Sequence, residues 1–220
     1  TLWTMPDALA MREAVDSGTV KDAVIVGAGL VGMEMVESLV NKGIRVSVVD
    51  ALPEPLPAVF DGEFGLRLRK CMERHGVAFY GGEKVLEIVG EGGSAKAVRT
   101  DARTIPCDMA LLSVGVRPNT ALAGDAGLEL GSRGAIVVDS HMRTSDPDIY
   151  AGGDCVETVN ALTGKRVWQP MGSTANRQGR VIADAIAGLP STFRGVQGTG
   201  ILRVFELTAG KPGLSAAEAR

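Results

Sequence analysis

The sequence predicts an α/β fold, and three observations carry that expectation. Short apolar, β-branched runs alternate with stretches of helical periodicity. A glycine-rich turn, "GAGLVG", joins the first of those runs to the first such helix. Between two apolar runs lies a cluster of short alternating segments that reads as an inserted antiparallel meander.

The elements run in this order. Residues 4–17 ("TMPDALAMREAVDS") read as a helix with Pro6 near its start. "DAVIV" (22–26) is a short buried strand, and "LVGMEMVESLVNK" (30–42) a helix closed by Gly43. "IRVSVVD" (44–50) is the second strand. Pro53, Pro55 and Pro57 interrupt the next stretch, and Asp61 is placed to cap a helix that ends at Gly76. "VAFYG" is a third strand. "KVLEIVG", "AKAVRT" and "RTIPC" form the meander around the turn "EGGS". "MALLSVG" (109–115) is a strongly apolar strand leading into "VRPNT". Residues 135–139 and 148–151 are expected as two more strands, and a helix begins near Ser173. The tail opens with a strand and ends in the first turns of a helix.

Composition narrows the function classes. The 220 residues are 45% hydrophobic, enough for one large domain or two small ones with cores of their own. A net charge of −3 leaves no electrostatic footprint for nucleic acid. No apolar run approaches the roughly 20 residues of a membrane-spanning helix. No secretory signal is visible, and a start at Thr1 suggests a processed, trimmed or fragmentary chain. Cys71, Cys107 and Cys155 make no CxxC pair and no metal-ligand spacing, so no metal site is expected and a reducing cytoplasm fits.

Gly27, Gly29 and Gly32 form GxGxxG between a strand and a helix. In that context the first glycine permits the tight turn, the second lets the backbone approach a pyrophosphate, and the third lets helix and strand pack closely. The alternative is a glycine turn without a ligand. Asp50 closes the second strand roughly 20 residues on, where a carboxylate hydrogen-bonds a ribose 2′-hydroxyl; otherwise it is an ordinary strand-end turn residue. The run "ALPEPLPAVF" after it has no Lys or Arg for a 2′-phosphate, so NAD is expected over NADP. Glu34 extends the motif to GxGxxGxE. It either reaches toward the nicotinamide end or is a surface carboxylate near the positive helix end.

The segment "TSDPDIYAGGDC" (144–155) resembles the second FAD motif of the pyridine nucleotide–disulfide oxidoreductases, TxxxxhYAxGD, through Thr144, Ile149, Tyr150, Ala151, Gly153 and Asp154. "LLSVGVRPNT" (111–120) is similar to that family's hhxhGxxPN crossing between the NAD and FAD domains. "QPMGSTANRQGRVIADAIAG" (169–188) resembles the helix whose first turn points at the flavin pyrimidine. "STANRQGR" and the tail look most like the branch of NADH oxidases, NADH peroxidases and coenzyme A-disulfide reductases.

The resemblance implies a Rossmann-like NAD-binding domain with an inserted β-meander, the second half of a FAD-binding domain and the start of an interface domain. The implied boundaries are 1–20 as a connecting segment, 21–117 for NAD, 118–195 for the partial FAD domain and 196–220 for the interface domain. It implies FAD and NAD as cofactors. Gly115 would lie against the dinucleotide, Asp154 would hydrogen-bond the ribityl chain with Gly153 beside it in the FAD-binding turn, and Ser173, Thr174 and Ala175 would lie at the helix start that points at the flavin. Hydride would pass from NADH to flavin and on to a disulfide, a peroxide or oxygen. The alternatives are a reductase of ferredoxin or rubredoxin, or a catalytically incomplete NAD-binding fragment. A homodimer is implied for the full-length protein, with no nucleic-acid or membrane partner.

The family's first FAD motif and redox cysteine have no counterpart upstream of residue 21. No catalytic residue is assigned. Cys71 reads as a packed hydrophobe, Cys107 sits beside Asp108, and Cys155 is either a flavin-proximal thiol or another packed residue. His75 at a helix end and His141 in a loop have no neighbouring nucleophile in sequence.

Overall fold

The computed structural model describes residues 1–216, 218 and 219. In chain order the elements are α1 (Met5–Asp16), β1 (Asp22–Val26), α2 (Leu30–Val40), β2 (Arg45–Asp50), α3 (Gly62–Arg74), β3 (Ala78–Gly81), β4 (Val85–Glu91), β5 (Ser94–Thr100), β6 (Thr104–Pro106) and β7 (Met109–Leu112). They continue with α4 (Ala121–Asp125), β8 (Thr158–Val159), β9 (Arg166–Val167), α5 (Gly172–Ile186), β10 (Gly200–Val204) and β11 (Leu207–Lys211). Two compact units result: residues 1–115 with 200–211 and 215–220, and residues 116–199 with 212–214.

The first unit is built on a four-stranded sheet of order β3-β2-β1-β7. Every pairing in it is parallel, with Ala23 opposite both Val46 and Met109. Parallel strands need crossovers, which α2 and α3 supply. The central strands read as near-continuous apolar runs because both their faces are covered. Ile25, Val48, Met33, Val36, Leu68 and Met72 are fully buried in one core. Val24, Val26 and Val49 face the other way and pack with Val98, Ile105 and Cys107 of the meander region. The meander β4–β5–β6 is antiparallel and lies between β3 and β7 in sequence, as expected.

The hairpin β10–β11 belongs to this unit and packs against α2 and α3. Leu202, Val204 and Phe205 enter its core. Phe205 N–H donates to Glu37 Oε2 at 2.8 Å, which ties the hairpin turn to α2.

The second unit has its own core of Ala123, Ile136, Val138, Met142, Val156 and Val181. Two expectations fail here. Residues 135–139 and 148–151 do not form strands; they make single bridges, Ile136 with Leu130 and Val156, and Tyr150 with Arg143. An apolar run becomes a strand only where a neighbour continues the ladder, and none of these pairings extends beyond one residue pair.

A third difference concerns Asp61. It occupies the N-cap position of α3, but its side chain makes no cap bond there. Its carboxylate accepts instead from Ala216 N–H at 3.0 Å. The helical turns expected at the C-terminus fall partly outside the described residues, since Ala217 and Arg220 are not among them; Ala216, Glu218 and Ala219 lie in turns. Among the described residues no helix is long and apolar enough to cross a membrane.

Candidate functional site

The three glycines of the first turn have different physical reasons. Gly27 follows β1 at φ +100°, a region that L side chains avoid. A Cβ there would lie 2.5 Å from Ser113 O. Gly32 is buried in α2, and its Cβ would strike Gly27 O and come within 2.7 Å of Ser113 Oγ. Both glycines are therefore demanded by packing. Gly29 is not: its φ is −78°, and a Cβ would meet nothing within 4 Å. The space above Gly29 is open, and Gly29 is the N-cap of α2 with no side-chain cap. The N–H groups of a helix's first turn have no intrahelical partner, and the dipole makes that end positive. An anion fits the space that a side chain at Gly29 would fill.

Neighbouring residues hold the turn in place. Gly27 N–H donates to Val49 O at 2.8 Å. Asp50 Oδ2 accepts from Ala28 N–H at 2.6 Å, and Asp50 Oδ1 accepts from Leu52 N–H at 2.8 Å. An ionised carboxylate has about four lone-pair sites. Two are engaged, so Asp50 braces the turn and retains acceptors for a ribose hydroxyl. On the other side Leu56 N–H donates to Ala28 O at 2.9 Å. Glu34 is exposed on α2, in the turn after Gly29 and two residues past Gly32. Gly115 follows β7 at φ +102°, exposed, with open space where a Cβ would sit.

Ser113 braces the glycine turn, and sequence patterning does not reveal it. Its hydroxyl donates to Gly27 O at 2.7 Å and its N–H donates to Val26 O at 2.8 Å. It thereby locks the end of β7 beneath the glycine turn. The only hint is a polar residue breaking the run "MALLSVG" two positions before Gly115.

The second turn is built within the other unit. Gly153 has φ +94°. Its N–H donates to Gln178 Oε1 at 2.8 Å, and Gln178 on α5 is only 1% exposed. A Cβ on Gly152 would lie 2.8 Å from Ile182 Cδ1, and one on Gly153 would lie 3.9 Å from Ala175 Cβ. The absence of side chains thus lets the turn lie along α5 between Ala175 and Ile182. Asp154 is exposed, and its carbonyl accepts from Trp168 Nε1 at 2.7 Å.

The N-cap of α5 is Met171, again with no side-chain cap. Ser173 is exposed and Thr174 buried behind it. Thr144 and Tyr150 of the same motif serve the loop itself. Thr144 Oγ1 accepts from Asp146 N–H, and Tyr150 OH accepts from Arg143 Nε at 3.2 Å. Gln178 is a second residue without a sequence signal, one polar position among several in the run "NRQGR" of α5.

The cysteines are all free thiols. Burial comes first among the causes that push each of them above the ordinary thiol value. Asp108 adds to the effect at Cys107 and Asp154 at Cys155. None of these surroundings favours a thiolate.

The chain is similar to known proteins in sequence and fold. A model of the pyridine nucleotide-disulphide oxidoreductase family matches residues 2–179. The chain is 38% identical over 214 residues to an NAD(P)H sulfur oxidoreductase (CoA-dependent) of Pyrococcus abyssi, covering 97% of this chain and 48% of that protein. A FAD-dependent pyridine nucleotide-disulphide oxidoreductase from Desulfovibrio vulgaris superposes with a TM-score of 0.88 at 47% identity, over 92% of this chain and 51% of the other. An NAD-dependent persulfide reductase from A. fulgidus gives a TM-score of 0.95 at 37% identity, over 100% of this chain and 41% of the other. The chain spans about half the length of the curated relatives it matches. With the strand–GxGxxG–helix and YAxGD turns both formed and a family match over most of its length, the chain belongs to the pyridine nucleotide-disulphide oxidoreductases.

Proposed function

We propose that this chain carries the NADH cradle and one side of the FAD site of a flavoprotein oxidoreductase that reduces a small sulfur compound, a disulfide or persulfide. The observation that carries the reading is the open approach over Gly29 at an uncapped helix N-terminus, flanked by Asp50 at the end of β2. When bound, NADH supplies a hydride and FAD takes it up as a two-electron carrier.

The chain's residues do the positioning. First-turn N–H groups of α2 donate to the pyrophosphate. The free lone pairs of Asp50 accept from the adenosine ribose hydroxyls, and its charge repels a 2′-phosphate. No Lys or Arg in residues 51–60 offsets that repulsion, so NADH is preferred to NADPH. Gly115 leaves room for the dinucleotide, and Glu34 points the nicotinamide end. In the other unit Asp154 accepts from the ribityl hydroxyls. Gly153 keeps a side chain out of that approach. The first turn of α5, at Ser173, Thr174 and Ala175, places positive dipole where the flavin pyrimidine gains negative charge on reduction.

Two relatives support a sulfur acceptor, since one is named a sulfur oxidoreductase and the other a persulfide reductase. The proposal includes the boundaries 21–117 for the NAD domain, 118–195 for the FAD portion and 196–220 for the start of an interface domain. It also includes a cytoplasmic homodimer of the full-length protein, to be checked by light scattering.

The test uses the full-length protein under anaerobic conditions. NADH should bleach the flavin absorbance, and a disulfide or persulfide should restore it. Restoration only by peroxide or oxygen would move the assignment to an oxidase or peroxidase. Restoration only by an oxidised ferredoxin would move it to an iron–sulfur protein reductase. A colourless protein, or one that binds NADPH more tightly than NADH, would overturn the cofactor assignment.

A further inference from the structure

A second cluster of reactive side chains lies at the C-terminal end of α3, and the NADH and flavin cradles do not use it. Cys71 and His75 are four residues apart, so they share one face at the end of the helix. The turn between β10 and β11 brings Glu206 to that face. One ligand atom from each of the three, the Cys71 thiol, a His75 ring nitrogen and a Glu206 carboxylate oxygen, lie within 4.8 Å of one another. No other such group of three occurs among the described residues.

We propose that Cys71, His75 and Glu206 bind one divalent transition metal, of which zinc fits best, and that the ion clips α3 to the β10–β11 turn. The donor set argues for the metal. A thiolate and an imidazole select zinc-like ions over calcium or magnesium, which take oxygen donors. Zinc bonds sulfur at about 2.3 Å and nitrogen or oxygen at about 2.0–2.2 Å. The three atoms, within 4.8 Å of one another, draw together around the ion, and the Cys71 thiol gives up its present contact with Val204 O at 3.7 Å.

The surroundings hold the ligands ready. The His75 ring stacks on Phe205 with centroids 3.8 Å apart and planes 9° from parallel. That stacking aims Nε2 at Glu206 Oε2, 2.8 Å away. The other carboxylate oxygen, Oε1, accepts from Arg74 Nη2 at 2.6 Å. A metal on Oε2 therefore leaves Arg74 in place as the partner that orients the carboxylate. Binding releases the Cys71 thiol proton to solvent, moves the His75 proton from Nε2 to Nδ1 so that Nε2 takes the metal in place of its hydrogen bond to Glu206, and leaves every oxidation state unchanged. His75 and Glu206 are exposed, so water completes the coordination.

The test uses the full-length protein stripped with a chelator under reducing conditions and titrated with cobalt(II). One equivalent should raise a near-ultraviolet thiolate-to-cobalt charge-transfer band, and zinc should remove it. Cys71→Ser should abolish the band. Glu206→Gln, at an exposed position that does not threaten folding, should weaken cobalt binding roughly tenfold or more. No band in the parent protein would overturn the proposal. So would a band that survives Cys71→Ser, or unchanged cobalt affinity in Glu206→Gln. None of these readouts depends on flavin, nicotinamide or turnover.

Discussion

Gly29→Val separates ligand approach from packing, because the other two glycines of the turn do not allow the two to be told apart. The φ of −78° and ψ of −173° at Gly29 lie in extended backbone that valine adopts, and no atom lies within 4 Å of the new Cβ. Gly and Val differ as N-caps by about 0.5–1 kcal/mol, so the fold should lose little. The isopropyl group would occupy the approach to the first-turn N–H groups of α2. If it displaces two charge-assisted hydrogen bonds to a pyrophosphate, each worth about 1.5–3 kcal/mol, the loss is roughly 3 kcal/mol or more. That corresponds to a weakening of at least about a hundredfold. Gly32→Ala is the control, since its Cβ strikes backbone and Ser113 Oγ and should destabilise the fold by about 1–3 kcal/mol. The assay is NADH titration by calorimetry on the full-length protein, paired with urea unfolding. An NADH Kd within about twofold of the parent would refute the phosphate cradle. So would a loss of stability in Gly29→Val as large as that in Gly32→Ala.

Three other outcomes rest on particular contacts. Asp154→Ala, at an exposed position, should speed flavin loss and leave NADH affinity unchanged; flavin release on dilution, tracked by fluorescence, checks this, and an effect on NADH alone would show the two sites to be misassigned. Gln178→Leu strands the Gly153 N–H and should lower stability by about 1–3 kcal/mol in urea unfolding, with faster flavin loss beside it. Glu218 is held down to about 2 from 4.5, first by the Lys211 ammonium and then by Ser215 N–H. A depressed carboxylate stabilises the fold above its unfolded value, and that contribution fades as pH falls from about 4.5 toward 2. Glu218→Gln should therefore flatten the acid side of a thermal-stability profile across that window, and an unchanged slope would contradict the assignment.

Much of the parallel sheet was legible because its signals are local. Gly27 and Gly32 are fixed by backbone geometry and close approach, so their spacing survives translation into structure. The central strand β1 is buried on both faces and shows as an apolar run, while β2 shows as an alternating, β-branched one. The failures come from partners, near or far, that the local pattern does not show. Asp61 has the chemistry of a cap, but its carboxylate engages Ala216, 155 residues away. Residues 135–139 are apolar enough for a strand but find only single bridges at Ile136. Ser113 and Gln178 are single polar side chains whose role lies wholly in what they meet across the fold, and neither carries a periodic signature. Cys71 and His75 have ligand spacing on a helix, but their third partner comes from residue 206.

The N-caps of the helices show what the two cradles have in common. Among the five α-helices of the described residues, α1 begins at Thr4, α3 at Asp61 and α4 at Thr120; of these only the Thr4 oxygen caps its helix, while Asp61 engages Ala216 N–H and Thr120 Oγ1 donates to Gly134 O. On α1 that oxygen forms a full capping box with Asp7. The N-caps of α2 and α5 are Gly29 and Met171, which have no oxygen to offer. A Ser, Thr or Asp cap contributes about 1 kcal/mol, so its omission leaves a helix start that is weaker alone and better suited to an external anion. Both omissions fall where a glycine turn lies against the helix: Gly27–Gly32 leads into α2, and Gly152–Gly153 rests on α5. A ligand that satisfies those N–H groups binds the folded chain and not the unfolded one, so it stabilises the fold in proportion to its occupancy. On the proposed reading, phosphate at α2 and reduced flavin at α5 take the place of a side-chain cap.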